Sequence, residues 1–334
     1  MARRIHIVPV EDESNGVWRV ANMLAAEDGG TVQLGCGGLD DAEEVWVHGM
    51  WLPREWRACW RALRLGKRLV RMTHGSLSPV YLRYHGWKKW LVGPIERFFL
   101  RRADRIVATC EAEKGWIEAY LGKRCPPIEV TDIKRFFTLT QVGKQVRPVF
   151  PHGNVNPGSS PIPHLSVIAS ATPDLPSLHL LYLGRHHPLK GVDYLETAVA
   201  ELNSSTPPLT TPPLLKIVSN AFGEEKEKVW EWCDVLVLPT LSENFGLVVA
   251  EALERGKRVI TTDGAPAWGE DLELPVSSLE VRVSSLEEGL DGQSPSIRTG
   301  YGGRLLYLVG YRDGSRNERV RLLKEAIGKL VVSG

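Results

Sequence analysis

Two stretches of this chain carry residues whose types and spacing suit one kind of ligand. In the first, Glu243 and Glu251 lie eight residues apart, with Asn244-Phe245-Gly246-Leu247 between them. Leu236-Val237-Leu238, closed by Pro239, reads as a buried strand, and a helix is expected from about Gly246 to a stop at Gly256. The first N–H groups of a helix are unpaired and sit at the positive end of its dipole, so this turn is an anion site. Carboxylates beside an anion site suit a ligand with both phosphate and hydroxyl groups, such as a nucleotide sugar. The second stretch, Gly184-Arg185-His186-His187-Pro188-Leu189-Lys190-Gly191, joins a strand at Leu178–Leu183 to a helix at Val192–Leu202. Two cations on such a loop, Arg185 and Lys190, can neutralise a diphosphate. A further candidate is His74, which ends the strand Arg68–Met72 just before Gly75.

These residues need a scaffold of strand–loop–helix units. Ile5–Val10, a loop ending at Gly16 and a helix over Val17–Ala26 form the first, the opening of a doubly wound domain. Strands follow at Val45–His48, Arg68–Met72, Asp104–Cys110 and Ile128–Val130, with helices at Pro53–Leu65, Tyr84–Arg105 and Glu111–Leu121. In the second half, strands are expected at Leu214–Val218, Asp234–Leu238 and Arg258–Thr262, with helices at Glu224–Trp232 and Glu318–Val331. Residues 270–303 read as polar and irregular. The domains are therefore 1–155 and 178–315, with a Pro/Ser-rich linker at 156–177 and a terminal helix at 316–334. Ligands of such sheets lie outside the carboxyl ends of the strands, where His74, Arg185 and Glu243 fall.

The chain has 334 residues and 43% hydrophobic content, the composition of an ordinary globular protein. No apolar run reaches the roughly 18–20 residues of a membrane span. The five cysteines form no Cys-x-x-Cys pair, which argues for reduced thiols and against structural zinc. The start, Met1-Ala2-Arg3-Arg4, runs directly into a strand, so a cytoplasmic protein is expected. Net charge is +1, yet residues 54–105 carry fourteen Lys and Arg against three acids, leaving the remainder near −10. Eight of the eleven tryptophans also precede residue 120. Basic side chains interleaved with Trp and Phe suit an anionic membrane surface rather than nucleic acid, so peripheral attachment at the inner face of the cytoplasmic membrane is expected.

Glu243-Asn244-Phe245-Gly246 with Glu251, joined to Gly184-Arg185 and Lys190-Gly191, resembles the signature of the retaining glycosyltransferases of family 4. Thr73-His74-Gly75 and Gly264-Ala265-Pro266-Ala267-Trp268 add to the likeness. The resemblance implies the GT-B fold: two Rossmann-like domains facing a central cleft, acceptor in the first and nucleotide sugar mainly in the second. It places His74 beside the donor sugar and gives Glu243 the sugar hydroxyls and Glu251 the ribose hydroxyls. Arg185, Lys190 and the helix start at Phe245, Gly246 and Leu247 would face the departing diphosphate. Gly16 matches the last glycine of a first-domain phosphate loop, with Asn15 where a preceding glycine is usual. Asn220 and Ala221 are candidates for contacting the base. The further strand–helix unit that usually comes before the strand matched by Asp234–Leu238 is lacking, so a sheet one strand shorter is expected, and the terminal helix is expected to pack back on the first domain. The implied donor is a UDP- or GDP-type nucleotide sugar. The implied acceptor is a glycan or glycolipid, as in lipopolysaccharide or surface-polysaccharide biosynthesis. No Asp-x-Asp motif is present, so neither a metal nor another cofactor is required. A nucleotide-sugar epimerase on the same fold and a non-catalytic sugar- or lipid-binding module are the alternatives.

Overall fold

The computed structural model describes residues 3–13, 15–84, 86–138, 177–205, 209, 211–219, 221–270, 272, 296–301 and 304–332. They divide into two compact units. The first takes residues up to Phe136 together with Ser242–Leu247 and Ala265–Glu270, and the second takes the rest.

In the first unit, β1 (Arg4–Ile7), α1 (Gly16–Asp28), β2 (Thr31–Gln33), β3 (Glu44–His48), α2 (Pro53–Arg64) and β4 (Arg68–Met72) follow in order. Then come α3 (Pro79–Arg83), α4 (Gly86–Leu100), β5 (Arg105–Ala108), α5 (Glu111–Leu121) and β6 (Ile128–Val130). The sheet is parallel in the order β2-β1-β3-β4-β5-β6, so strand order reverses between β1 and β3. Val45, Val47, Leu69, Ile106 and Ala108 are fully buried, as strands covered on both faces require. Asn15, where the resemblance has a glycine, caps α1 by accepting from the Val17 N–H at 2.9 Å. Beneath the loop after β3, Arg71 and Glu96 form a fully buried ion pair at 3.2 Å. Arg71 also donates to the Gly49 carbonyl at 3.0 Å, and Glu96 accepts from the Trp51 N–H and, at 2.8 Å, from the Trp56 indole.

The second unit holds β7 (His179–Leu183), α6 (Val192–Asn203), β8 (Leu214–Val218), α7 (Gly223–Trp232) and β9 (Val235–Leu238). After these come α8 (Leu247–Glu254), β10 (Arg258–Thr262), β11 (Ser296–Gly300), β12 (Leu305–Val309) and α9 (Arg316–Val332). Its strand order is β11-β12-β10-β9-β7-β8, with β11 antiparallel at the edge and the reversal between β7 and β9. Taken from the other end, β8-β7-β9-β10 repeats the order β2-β1-β3-β4 of the first sheet, while the last two strands are exchanged, with β12 inside and the antiparallel β11 at the edge. These are two Rossmann-like α/β sheets, the GT-B pair of domains.

Several expectations need correction. β11 lies in a stretch read as irregular, and as an antiparallel edge strand it brings the second sheet to six strands, although α7 leads directly into β9 with no further strand–helix unit between them. The helix read across Tyr84–Arg105 is shorter, α4 covering Gly86–Leu100, and a separate short helix, α3, precedes that stretch. The terminal helix lies along α6 within its own unit, through Arg316–Asp193 and Lys324–Glu201 pairs at 2.8 Å and Arg319 donating to the Tyr194 hydroxyl at 3.0 Å. The linker at 156–177 lies outside the described residues apart from Ser177. Among the described residues no helix is long and apolar enough to cross a membrane.

Candidate active site

The loop after β7 is fastened to the end of β9. The Leu189 carbonyl accepts from the Leu241 N–H at 2.8 Å and from the Thr240 hydroxyl at 3.1 Å. Gly191 packs against the Pro239 carbonyl with φ +65°, where a side chain has no room. At the other end the Tyr182 hydroxyl donates to the Arg185 carbonyl at 2.8 Å, and His187 accepts from the Leu189 N–H. This leaves Arg185 exposed and Lys190 half-buried on a backbone with little freedom, beside the β7–β9 reversal. Gly264 presses on the Thr240 carbonyl from the other side, which also accepts from the Thr262 hydroxyl. The Pro239–Leu241 segment that feeds the glutamate turn is thus held on both flanks.

Glu251, on α8, is buried and forms an ion pair with Lys226 of α7 at 2.7 Å. Sequence reasoning missed Lys226, because it sits in the run Glu224-Glu225-Lys226-Glu227-Lys228, which reads as a solvated helix face. Ala221 is buried in the turn before α7, and Asn220 lies outside the described residues.

The turn Ser242–Leu247 belongs to the first unit and packs on the loop after β4. Ser242 and Ser78 share a hydroxyl hydrogen bond at 2.8 Å, and Thr109 meets the Asn244 amide oxygen at 2.7 Å. A β-carbon on Gly75 would come within 3.1–3.3 Å of Asn244, and Gly75 has φ +71°. The buried Glu113 carboxylate ties these pieces together. It accepts from the Thr73 hydroxyl at 2.6 Å, the Gly75 N–H at 2.5 Å and the Thr109 N–H at 2.8 Å. Thr109 and Glu113 carry no motif and were not anticipated. Phe245 is buried, its ring 5.1 Å from that of Trp268, whose indole donates to the Phe245 carbonyl. The Phe245 side chain is therefore a packing element, as is that of Leu247, which comes close to Gly16 at the start of α1. Glu243 is half-buried in the same turn.

His74 stands between Thr73 and Gly75 with φ +49°, a left-handed conformation uncommon for a residue with a side chain. Its Nε2 is 2.9 Å from His48 Nδ1, and His48 Nε2 is 3.0 Å from His6 Nδ1. Burial pushes the His74 pKa down to about 3 and, with the neighbouring His74, His6 and Arg71, holds that of His48 well below its ordinary value. Sequence reasoning missed His6 and His48. The available signal was a polar ring in each of two otherwise apolar strands.

The first unit thus gathers Gly16, His74, Glu243, Asn244, Phe245, Gly246 and Leu247, and the second holds Arg185, Lys190, Ala221 and Glu251.

Comparison with known proteins reaches the same halves. Residues 14–131 match the family model of a glycosyl transferase 4-like domain, and residues 177–274 that of glycosyl transferases group 1. Among solved structures, the chain is similar to an α,α-trehalose-phosphate synthase (UDP-forming) from Burkholderia vietnamiensis. Sequence identity is 10%, the TM-score is 0.51, and 81% of this chain and 84% of that one are covered. A sucrose-phosphate synthase from Thermosynechococcus elongatus aligns at 14% identity and TM-score 0.48, over 78% of this chain and 81% of that one. At 10% identity the likeness to the trehalose-phosphate synthase concerns the fold alone. A search of curated proteins by sequence found no match.

Proposed function

We propose that this chain, a glycosyltransferase of the GT-B type, moves a sugar from a UDP- or GDP-type nucleotide sugar to a glycan or glycolipid acceptor with retention of configuration. The observation that carries the reading is the clamp on the Arg185–Lys190 loop. Leu189 and Gly191 bind it to the end of β9, so the two cations stand at the strand-order reversal, where ligands of open α/β sheets bind. The difficult part of the transfer is departure of a nucleoside diphosphate. Fixed cations that already stand where this charge develops lower the barrier without reorganising. In this reading Arg185, Lys190 and the helix start at Gly246–Leu247 receive the diphosphate. Glu243 binds sugar hydroxyls, and Glu251, with its carboxylate oriented by Lys226, binds the ribose. His74 lies beside the donor sugar, and Ala221 lies near the base. The departing phosphate helps take the acceptor proton, and no metal is needed.

The acceptor reading rests on the surface of the first unit. Trp87, Trp90, Leu91, Ile95 and Phe98 are all exposed on α4, and Trp60 is exposed on α2 among Arg57, Arg61 and Arg64. An acceptor carried on lipid at an anionic membrane, such as a growing lipopolysaccharide or surface polysaccharide, suits that surface.

The test is transfer from a panel of UDP- and GDP-sugars by wild type, Arg185→Ala and Lys190→Ala. Either substitution should lower the rate by about two orders of magnitude or more, near 3 kcal/mol. More than half the activity in either variant would overturn the assignment. Isomerised donor formed without acceptor would point to an epimerase instead.

A further inference from the structure

Four side chains of the first unit form one hydrogen-bonded line that ends at His74. Asp28 Oδ2 is 3.3 Å from His6 Nε2, His6 Nδ1 is 3.0 Å from His48 Nε2, and His48 Nδ1 is 2.9 Å from His74 Nε2. The register of the parallel strands builds it. His6 lies beside Trp46 across the β1–β3 pair, and His48, two residues on, points to the same face. The Trp46 ring stacks on His6 at 5.0 Å and on His48 at 6.2 Å, and both histidines are fully buried. At the outer end Gly30 leaves the space the Asp28–His6 contact occupies. A β-carbon there would stand 2.7 Å from Asp28 Oδ1 and 3.0–3.1 Å from the His6 ring.

A neutral imidazole has one N–H and one lone pair, so each shared contact needs a donor on one side and an acceptor on the other. Fixing the direction at one end therefore fixes every ring in the line. The end that decides is Asp28. Its carboxylate accepts from the Gly30 N–H at 2.9 Å and lies 3.6 Å from the Arg4 guanidinium. Burial works to raise its pKa, but the hydrogen bonds from His6 and the Gly30 N–H, with the nearby Arg4 guanidinium, outweigh this and hold it below the ordinary value. An ionised carboxylate only accepts, so His6 carries its proton on Nε2 and offers Nδ1 to the His48 Nε2–H. His48 in turn offers Nδ1 to the His74 Nε2–H. We infer that Asp28, acting through His6 and His48, sets His74 in the Nε2–H tautomer, leaving Nδ1 as a lone pair that accepts a hydrogen bond from a substrate hydroxyl. Asp28, His6 and His48 are positioning residues, and the inference rests on the reading above that His74 meets the substrate. The low pKa values of His48 and His74 agree with it, since neutral rings are what the line requires.

The test is long-range proton–nitrogen NMR on the full chain with 15N-labelled histidine, each signal assigned by loss in a single-histidine variant. It needs no activity, so it stands or falls separately from the glycosyltransfer reading. In the wild type, His6, His48 and His74 should each show a protonated Nε2 and a bare Nδ1. A protonated Nδ1 on His74 overturns the inference without any variant. Asp28→Asn then probes the direction. Its amide oxygen can still accept from the Gly30 N–H, but its NH2 faces His6 where the carboxylate stood. The line should reverse, moving the His74 proton to Nδ1 three hydrogen bonds away. An unchanged His74 tautomer in this variant overturns the control assigned to Asp28. Transfer by the reversed variant should fall about tenfold, because an N–H would then face the substrate hydroxyl where the lone pair accepted from it, and loss of one such hydrogen bond costs on that order. Reversal with an unchanged rate overturns the acceptor role of Nδ1.

Discussion

The α-carbon of Gly191 stands so close to the carbonyl oxygen of Pro239 that only a hydrogen fits between them, and its φ of +65° disfavours any other residue there. The contact ties the start of α6 to the end of β9 and so sets where Arg185 and Lys190 stand. Gly191→Ala should push the two segments apart. The shift need not unfold the sheet, but a displacement of about 1 Å can cost a hundredfold in rate. Transfer is therefore expected to fall by about that factor, with a much smaller change in melting temperature. Wild-type kinetics in Gly191→Ala would show that the loop's position is not used.

Glu55 offers a second test, of stability rather than activity. Burial, with a smaller push from Glu96, raises its pKa to about 7 against the pull of Arg71, the Leu52 N–H and Arg54. A carboxyl with a raised folded-state pKa contributes stability that is complete below its unfolded value of 4.5 and is lost as pH climbs to about 7. Glu55→Gln cannot titrate and can still accept from the Leu52 N–H. Relative to wild type it should gain on the order of 3 kcal/mol between pH 4 and pH 8. His48 and His74 have lowered pKa values and destabilise the fold as pH falls below the ordinary histidine value, but they are common to both proteins and cancel. Thermal midpoints at several pH values provide the measurement. Parallel profiles for the two proteins would refute the assignment.

Much of this was legible in the sequence because it is local. Leu236–Leu238, Pro239 and the turn to Gly246 announce strand, break and helix within a dozen residues. Arg185 and Lys190 stand out because glycines bracket their loop. What was not legible depends on partners far along the chain. β11 is a half-buried edge strand, Ser-Ile-Arg-Thr-Gly, recognisable only by its pairing with β12. His6 and His48 become one line with His74 only through the register of strands forty residues apart. Lys88 and Lys89 read alike in sequence, but the structure separates them. Lys88 is exposed, whereas Lys89 turns inward, donating to the Tyr84 carbonyl at 2.8 Å and lying over the Tyr81 ring, with burial lowering its pKa to about 8.

The proposed phosphate contacts also bear on metals. Two cationic side chains and a helix start can supply the charge stabilisation that a bound divalent ion supplies elsewhere. Transfer should therefore persist in excess EDTA at close to its full rate. Complete loss, restored by Mn²⁺ or Mg²⁺, would contradict this.

The last prediction concerns the surface that α4 presents. Trp87 is 66% exposed, Trp90 78% and Leu91 58%, and Ile95 and Phe98 extend the same apolar side of the helix. The only acid in α4, Glu96, points inward to Arg71, so the exposed side has no carboxylate to repel an anionic surface. Lys88 flanks the ridge, Arg101 and Arg102 follow its end, and the neighbouring α2 exposes Arg57, Trp60 and Arg64. Each basic residue near an anionic bilayer adds about 1 kcal/mol, screened over roughly 10 Å at 0.1 M salt. The aromatic side chains add an apolar contribution that salt does not screen. Binding to phosphatidylserine-containing vesicles should therefore weaken as salt rises but persist in part. Lys88→Glu should remove some of the salt-sensitive part, and Trp87→Ser with Trp90→Ser should remove the remainder. Lys89 is unsuitable for this test, because reversing a half-buried charge disturbs the fold. Donor affinity should be unchanged in all of these variants, since none touches the Arg185–Lys190 loop. Co-sedimentation at low and high salt is the measurement. Equal, negligible binding to anionic and neutral vesicles would remove the membrane from the reading and leave a soluble glycan as the acceptor.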